Sequence, residues 1–290
     1  MSAPVATKDP TAVEAEVQAA YLAMFPDGDP SFVPRAFGWA IDCFTGRFAD
    51  YLPVDASYHD FEHTLQGTLC MARLLHGRHR AAARPALTQR LFELGITAIL
   101  LHDTGYLKRC DDAGGTGAKY TVTHVRRSAE FAAQLLAQKG YATAEIQSVQ
   151  NMIRCTGVDA DLAGIPFQNE LERTVGFALA TADLLGQMAA DDYIEKLPEL
   201  YAEFEEAAAF SHDSRSFVAS FTSAADLLSR TPQFWEGFVK PRLEGAFGGV
   251  YRFLNEPYPQ GPNPYVQRIE ANMTRLRQRL TAGLDTKSTP

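Results

Sequence analysis

Cysteine is scarce in this sequence and never paired in spacing. Cys43, Cys70, Cys110 and Cys155 include no CxxC, which leaves free thiols in a reducing compartment as the expectation. Long apolar runs are missing too. The longest are short and interrupted, so no membrane span is expected. The opening MSAPVATKDPT lacks the apolar core of a signal peptide, and cytoplasm is the default location. A basic excess is absent: 27 Lys and Arg stand against 35 Asp and Glu, a net charge of −8. A mildly acidic chain is not built to wrap a nucleic-acid polymer. Strand-like alternation is scarce, and neither an internal repeat nor a low-complexity tract is present.

What remains is helical period. Apolar residues three and four apart mark helices over 13–24, 33–51, 62–76, 87–101, 125–137, 171–188, 193–210 and 217–228, with two more around 234–254 and 265–280. Helix starts are expected at Asp60, at Thr88 after Pro85, and at Thr231 before Pro232. The stretch 111–117 (DDAGGTG) reads as a flexible loop, and 256–264 (EPYPQGPNP) as a proline-rich connector. With 46% hydrophobic residues the chain has enough apolar material for one packed domain. The expectation is a single all-α domain over 12–281, with mobile termini at 1–11 and 282–290 and the last helix packed across the others.

Charge is unevenly placed. From Arg73 to Arg127 ten basic residues face four acidic ones, a local +6, leaving −14 for the rest. Such a segment suits a small anion such as phosphate or, equally, a solvated helix face.

Four places carry candidate chemistry. His59 and His63 lie four apart in Tyr58-His59-Asp60-Phe61-Glu62-His63, so a continuing helix puts them on one face. His102-Asp103 closes the apolar run 95–101, and a charge at the mouth of a buried helix needs a partner. His124 opens a helix. Asp183 sits among apolar neighbours in FALATADLL. Singly, each has a plain alternative, as a packing histidine or as an aspartate paired with Arg173. Together they supply imidazole and carboxylate donors from separate helices, a set suited to Zn, Mn, Fe or Mg.

The ordered series resembles the HD superfamily of metal-dependent phosphohydrolases. Ala98-Ile-Leu-Leu-His102-Asp103-Thr-Gly105-Tyr106 is similar to that family's central signature. Tyr58-His59-Asp60-x-x-His63 is similar to the Tyr-His-Asn-x-x-His motif of cyclic nucleotide phosphodiesterases, with Asp60 in place of Asn. His124-Val-Arg-Arg-Ser128-Ala-Glu130 resembles the His-x-x-x-Ser-Ala-Glu helix of bacterial HD proteins. The resemblance spans 58–183 and implies an HD-type helical bundle with additional C-terminal helices. It implies one or two divalent ions, with His63, His102, Asp103 and Asp183 on the first. Asp103 would bridge to a second ion reached by His124, and His59 would be the general acid. The implied substrate is a small phosphoester such as a cyclic nucleotide.

Two departures stand out. No histidine occurs over 149–156, where dinuclear members place one or two, and Tyr106 replaces a common Lys three residues after the Asp. Lys108, Arg109, Arg126 and Arg127 are candidates for phosphate neutralisation, each competing with the reading of a solvated surface charge. The aromatics of 217–253 read mostly as core, with one or two free to stack on a base. His212-Asp213 reads as a helix junction, and 114–119 fails the GxxxxGK[ST] spacing. Two other functions fit the same residues: a mixed-valent di-iron oxygenase, which needs a firmly held second iron, and a ligand sensor without catalysis.

Overall fold

The computed structural model describes residues 5–48, 50–211 and 217–285, with side chains to 282. His212 and Asp213 lie outside the described residues, as do parts of both termini. Ten α-helices and no strand occur among the described residues, so the fold is all-α. They are α1 (Pro10–Met24), α2 (Phe32–Phe44), α3 (Phe61–Arg80), α4 (Gln89–Leu101), α5 (His124–Gln138), α6 (Thr143–Ile153), α7 (Glu170–Met188), α8 (Tyr193–Phe210), α9 (Ala224–Phe234) and α10 (Pro264–Asp285). No described helix is long and apolar enough to cross a membrane.

The caps explain the registers. Asp60 accepts from the His63 N–H and starts α3, Thr88 accepts from the Leu91 N–H and starts α4, and Asn169 accepts from the Glu172 N–H and starts α7. Helix α4 is buried along every residue from Phe92 to Leu101. Helix α3 is nearly as deep despite its polar sequence, with His63, Thr64 and Thr68 inside; the Thr68 hydroxyl donates to the Thr64 carbonyl, so its burial costs little. Helices α3 and α7 form the principal packed pair. They approach tightly at Gly186, where a Cβ would come within 2.8 Å of the Gln66 backbone. Gly67 packs against the Asp183 backbone beside this crossing, and the His63 imidazole reaches the Asp183 carboxylate at 3.1 Å.

Several expectations are corrected. Helix α6 is unforeseen, because its polar-rich TAEIQSVQNMI buries only Ser148, Val149, Asn151, Met152 and Ile153. The helix expected over 217–228 is a short turn at Phe217–Ser220 followed by α9, which Ser223 caps. Thr231-Pro232 starts nothing, since Pro232 lies inside α9. Past this imino acid, which donates no N–H, the chain widens into π-turns at Trp235–Val239 and Arg242–Ala246. The helix expected over 234–254 is thereby broken, and left-handed Gly248 and Gly249 complete the break. The 33–51 helix stops at Phe44. The 111–117 loop is pinned rather than free: Glu206 of α8 accepts from the Thr116 N–H and hydroxyl, and Asp55 accepts from the Gly117 N–H. Helix α10 crosses α7, α8 and α9 as expected, and the Asn272 amide donates to the Met188 and Ala190 carbonyls at the end of α7.

Candidate metal centre

His102 caps the C-terminus of α4. Its Nδ1 lies 2.7 Å from the Ile99 carbonyl, which makes it the protonated nitrogen and turns the Nε2 lone pair inward. Asp103 follows, and the chain turns away at Thr104, whose hydroxyl donates to the Leu101 carbonyl. Gly105 donates its N–H to the Ser128 hydroxyl at 2.8 Å. A Cβ on Gly105 would come within 2.1 Å of the His124 carbonyl oxygen. The small residue after the His-Asp pair and the serine one turn beyond His124 thus act together: they clamp the start of α5 against Asp103. Gly105→Ala is expected to cost about 1–3 kcal/mol through forced separation of these backbones. Denaturant titration should show the loss, and unchanged stability would show that the clamp is slack.

Four donor atoms converge. His63 Nε2 lies 3.2 Å from Asp103 Oδ2 and 3.1 Å from Asp183 Oδ1; His102 Nε2 lies 3.3 Å and 3.5 Å from the same oxygens. Metal–ligand bonds of about 2.0–2.2 Å place neighbouring donors roughly 3.0 Å apart in an octahedron and roughly 3.4 Å apart in a tetrahedron. Three of the observed separations fall in that interval and the fourth exceeds it by about 0.1 Å. His102 Nε2 and Asp103 Oδ2 are buried with no hydrogen-bond partner among the described residues, and a cation shared by the four donors would satisfy both. His63, His102 and Asp183 form one potential metal group, and His59, His63 and Asp103 a second. Asp183 therefore faces imidazoles, not Arg173.

Burial pushes Asp103 and Asp183 up, but the His102 and His63 imidazoles outweigh it and hold both carboxyls well below the usual carboxylate range. Burial lowers His63, yet the two carboxylates more than compensate and raise it to about 10. A proton on His63 is thus the cation that a metal ion would displace. The same carboxylates also raise His102, so divalent metal loading near neutral pH is expected to release protons, and affinity should strengthen as pH rises. Calorimetry in buffers of different ionisation enthalpy measures this; loading without proton release would contradict the donor assignment.

Around the four donors stands a supporting layer. Tyr58 donates its hydroxyl to Gln187 Oε1 at 2.7 Å, and the Gln187 amide donates to Asp183 Oδ1 at 3.3 Å. Glu203, 3% exposed on α8, accepts from the Tyr58 and His59 N–H groups, and its second oxygen lies 2.5 Å from His59 Nδ1. The His59 and His124 rings lie side by side on the face of Tyr106, with centroids 4.4 Å and 4.7 Å away. His124 Nε2 is 3.8 Å from Asp103 Oδ1, and its Nδ1 lies 2.6 Å from the Thr121 carbonyl. Burial lowers the His124 pKa, which favours the neutral imidazole a metal requires.

The sequence reading missed Glu203 and Gln187. Glu203 falls on the apolar stripe of Leu200, Phe204 and Ala207, which is the signal that separates it from Glu205 and Glu206.

A cavity of about 1320 Å³ opens over the centre and reaches His59, His63, Asp103, His124 and Asp183. Of the four candidate cations only Arg126 lines it, and that side chain also pairs with Glu130. The other three do not. Lys108 donates to the Gly115 carbonyl and pairs with Asp55. Arg109 pairs with Asp111 at the surface. Arg127 donates to the Gly105 and Leu107 carbonyls and stacks on Tyr120, holding the turn after Asp103. Arg154 and Arg230, not anticipated, line the cavity instead. Of the aromatics, Phe217, Phe221 and Phe234 face it, whereas Trp235 and Phe247 are core.

The sequence profile of the Npun_R2479-like family matches residues 110–255, half of the chain, and the chain belongs to that family. The matched span holds His124, Asp183, Glu203 and the cavity wall, and it begins after His102-Asp103. No curated protein sequence matches the chain.

Proposed function

We propose that this member of the Npun_R2479-like family is a metal-dependent phosphohydrolase. The observation that carries the reading is the meeting of two imidazoles and two carboxylates from α3, α4 and α7, 3.1–3.5 Å apart, at the floor of a cavity that His59 also faces. The motif likeness to HD phosphohydrolases supports it. His63, His102, Asp103 and Asp183 would hold a divalent ion, with the free oxygen of Asp103 and His124 available to a second. A divalent ion there would supply a water of pKa near 7 and neutralise phosphate charge.

The chain's own groups do the rest. Glu203 fixes the His59 ring through Nδ1, leaving Nε2 to hold the proton that the leaving oxygen takes. Tyr106 keeps the His59 and His124 rings stacked on its face, 6.0 Å apart and tilted by 35° to one another. Arg126 and Arg154 add positive charge at the cavity wall.

The test is hydrolysis of phosphoesters under strict anaerobiosis with Mn²⁺, Mg²⁺ or Zn²⁺. Turnover is expected without oxygen, with His124→Ala weakening a second ion more than the first. Activity that consumes oxygen in step with product would favour a di-iron oxygenase, and binding without turnover a sensor.

A further inference from the structure

The cavity is larger than its reactive end needs. Small-molecule sites usually enclose about 300–1,000 Å³, and this one measures about 1320 Å³. A phosphate at the four donors would fill a small part of it.

The remaining wall is apolar along one side and comes from α8 and the turn after it, which supply none of the four converging donors. Tyr193, Leu197, Leu200 and Phe204, spaced four, three and four, turn one face of α8 into the cavity. Phe217 and Phe221, from the turn that follows, continue that face, their rings packed edge to face at 5.2 Å. Phe217 remains 37% exposed. Apolar side chains left facing a concavity are stabilised when an apolar ligand covers them. Arg126 of α5 and Arg154 at the end of α6 lie at a different part of the wall, whereas Arg230 of α9 pairs with Asp226 and lies over the Phe221 ring at 5.1 Å. Among the described residues Arg154 has no carboxylate partner, and its guanidinium reaches only the Asn151 side-chain oxygen at 3.3 Å.

We propose that this cavity takes an amphipathic phosphoester, with a phosphate head at the His/Asp centre and a long alkyl-type group along the α8 face and the 217–221 segment. The head assignment rests on the phosphohydrolase reading; the tail assignment does not. The donors, Arg126 and Arg154 thus serve one end of the ligand and the α8 face the other, with Arg230 covering the Phe221 ring on the apolar side.

The test is calorimetric binding to the metal-loaded full-length protein. The ligands are methyl, hexyl and decyl phosphate, adenosine monophosphate and decanoate, all below micelle-forming concentrations. Each added methylene is expected to tighten binding about fourfold until the wall is filled. Decyl phosphate should bind tighter than both adenosine monophosphate and decanoate. In Phe217→Ser the ratio of decyl to methyl phosphate affinity should fall about tenfold, with metal content and helicity unchanged. Equal affinity for methyl and decyl phosphate, or tighter binding of the nucleotide, would overturn the tail. Decanoate binding as tightly as decyl phosphate would overturn the head. Decyl phosphate that binds tightly and is never hydrolysed sinks the hydrolase reading and leaves the ligand class standing. Hydrolysis of nitrophenyl phosphate with no chain-length dependence does the reverse.

Discussion

Asp103→Ala is expected to purify with little bound metal and to lose essentially all hydrolytic turnover. Among the described residues Asp103 is the only side chain that offers one oxygen to His63 and His102, at 3.2 Å and 3.3 Å, and the other toward His124, at 3.8 Å. Deleting it removes a donor from the first ion and the bridge to any second. Loss of an outer partner alone typically costs roughly 10–100-fold in metal affinity or activity, so loss of this inner donor should exceed that range. The fold should survive, because the change removes a buried charge rather than apolar packing. Elemental analysis and far-ultraviolet circular dichroism check the two halves separately. Full metal occupancy in a folded Asp103→Ala protein would overturn the site.

The second large effect is expected at His59, and it depends on the leaving group. His59→Ala should keep the metal and lose about 10²–10⁴-fold in turnover of an alkyl phosphoester, the usual contribution of a general acid. A nitrophenyl ester, whose leaving oxygen needs little protonation, should lose much less. Glu203→Gln should show the same pattern with a smaller drop, since the ring keeps a hydrogen-bonding partner and loses a charge. The alternative is concrete: His59 belongs to a potential donor group with His63 and Asp103. Equal losses on both esters, or loss of metal from His59→Ala, would make it a ligand.

The ordered motif residues announced themselves because spacing alone makes them unusual. His59 and His63 four apart, a His-Asp pair after the apolar run 95–101 and an aspartate inside another apolar run cannot all be solvated. The caps at Asp60 and Thr88 were legible for the same local reason. The all-α class followed from period, since apolar residues three and four apart recur from Val13 onward. Beyond that reach, local signals misled. Pro232 looks like a helix start yet sits inside α9, which Ser223 starts instead, and α6 hides because its buried side chains include Ser148 and Asn151.

The sequence by itself determined the helical class and the inventory of potential metal donors, because both are encoded in local periodicity and residue type. Only the tertiary structure decided which charges matter. Lys108, Arg109 and Arg127 stand beside the signature in sequence, yet they pair with Asp55, Asp111 and backbone carbonyls away from the cavity. Glu203 and Arg154 are distant in sequence and reach His59 and the cavity wall through packing. The physical reason is that a charge takes its role from what lies within a few ångströms of it, and helix packing sets that neighbourhood.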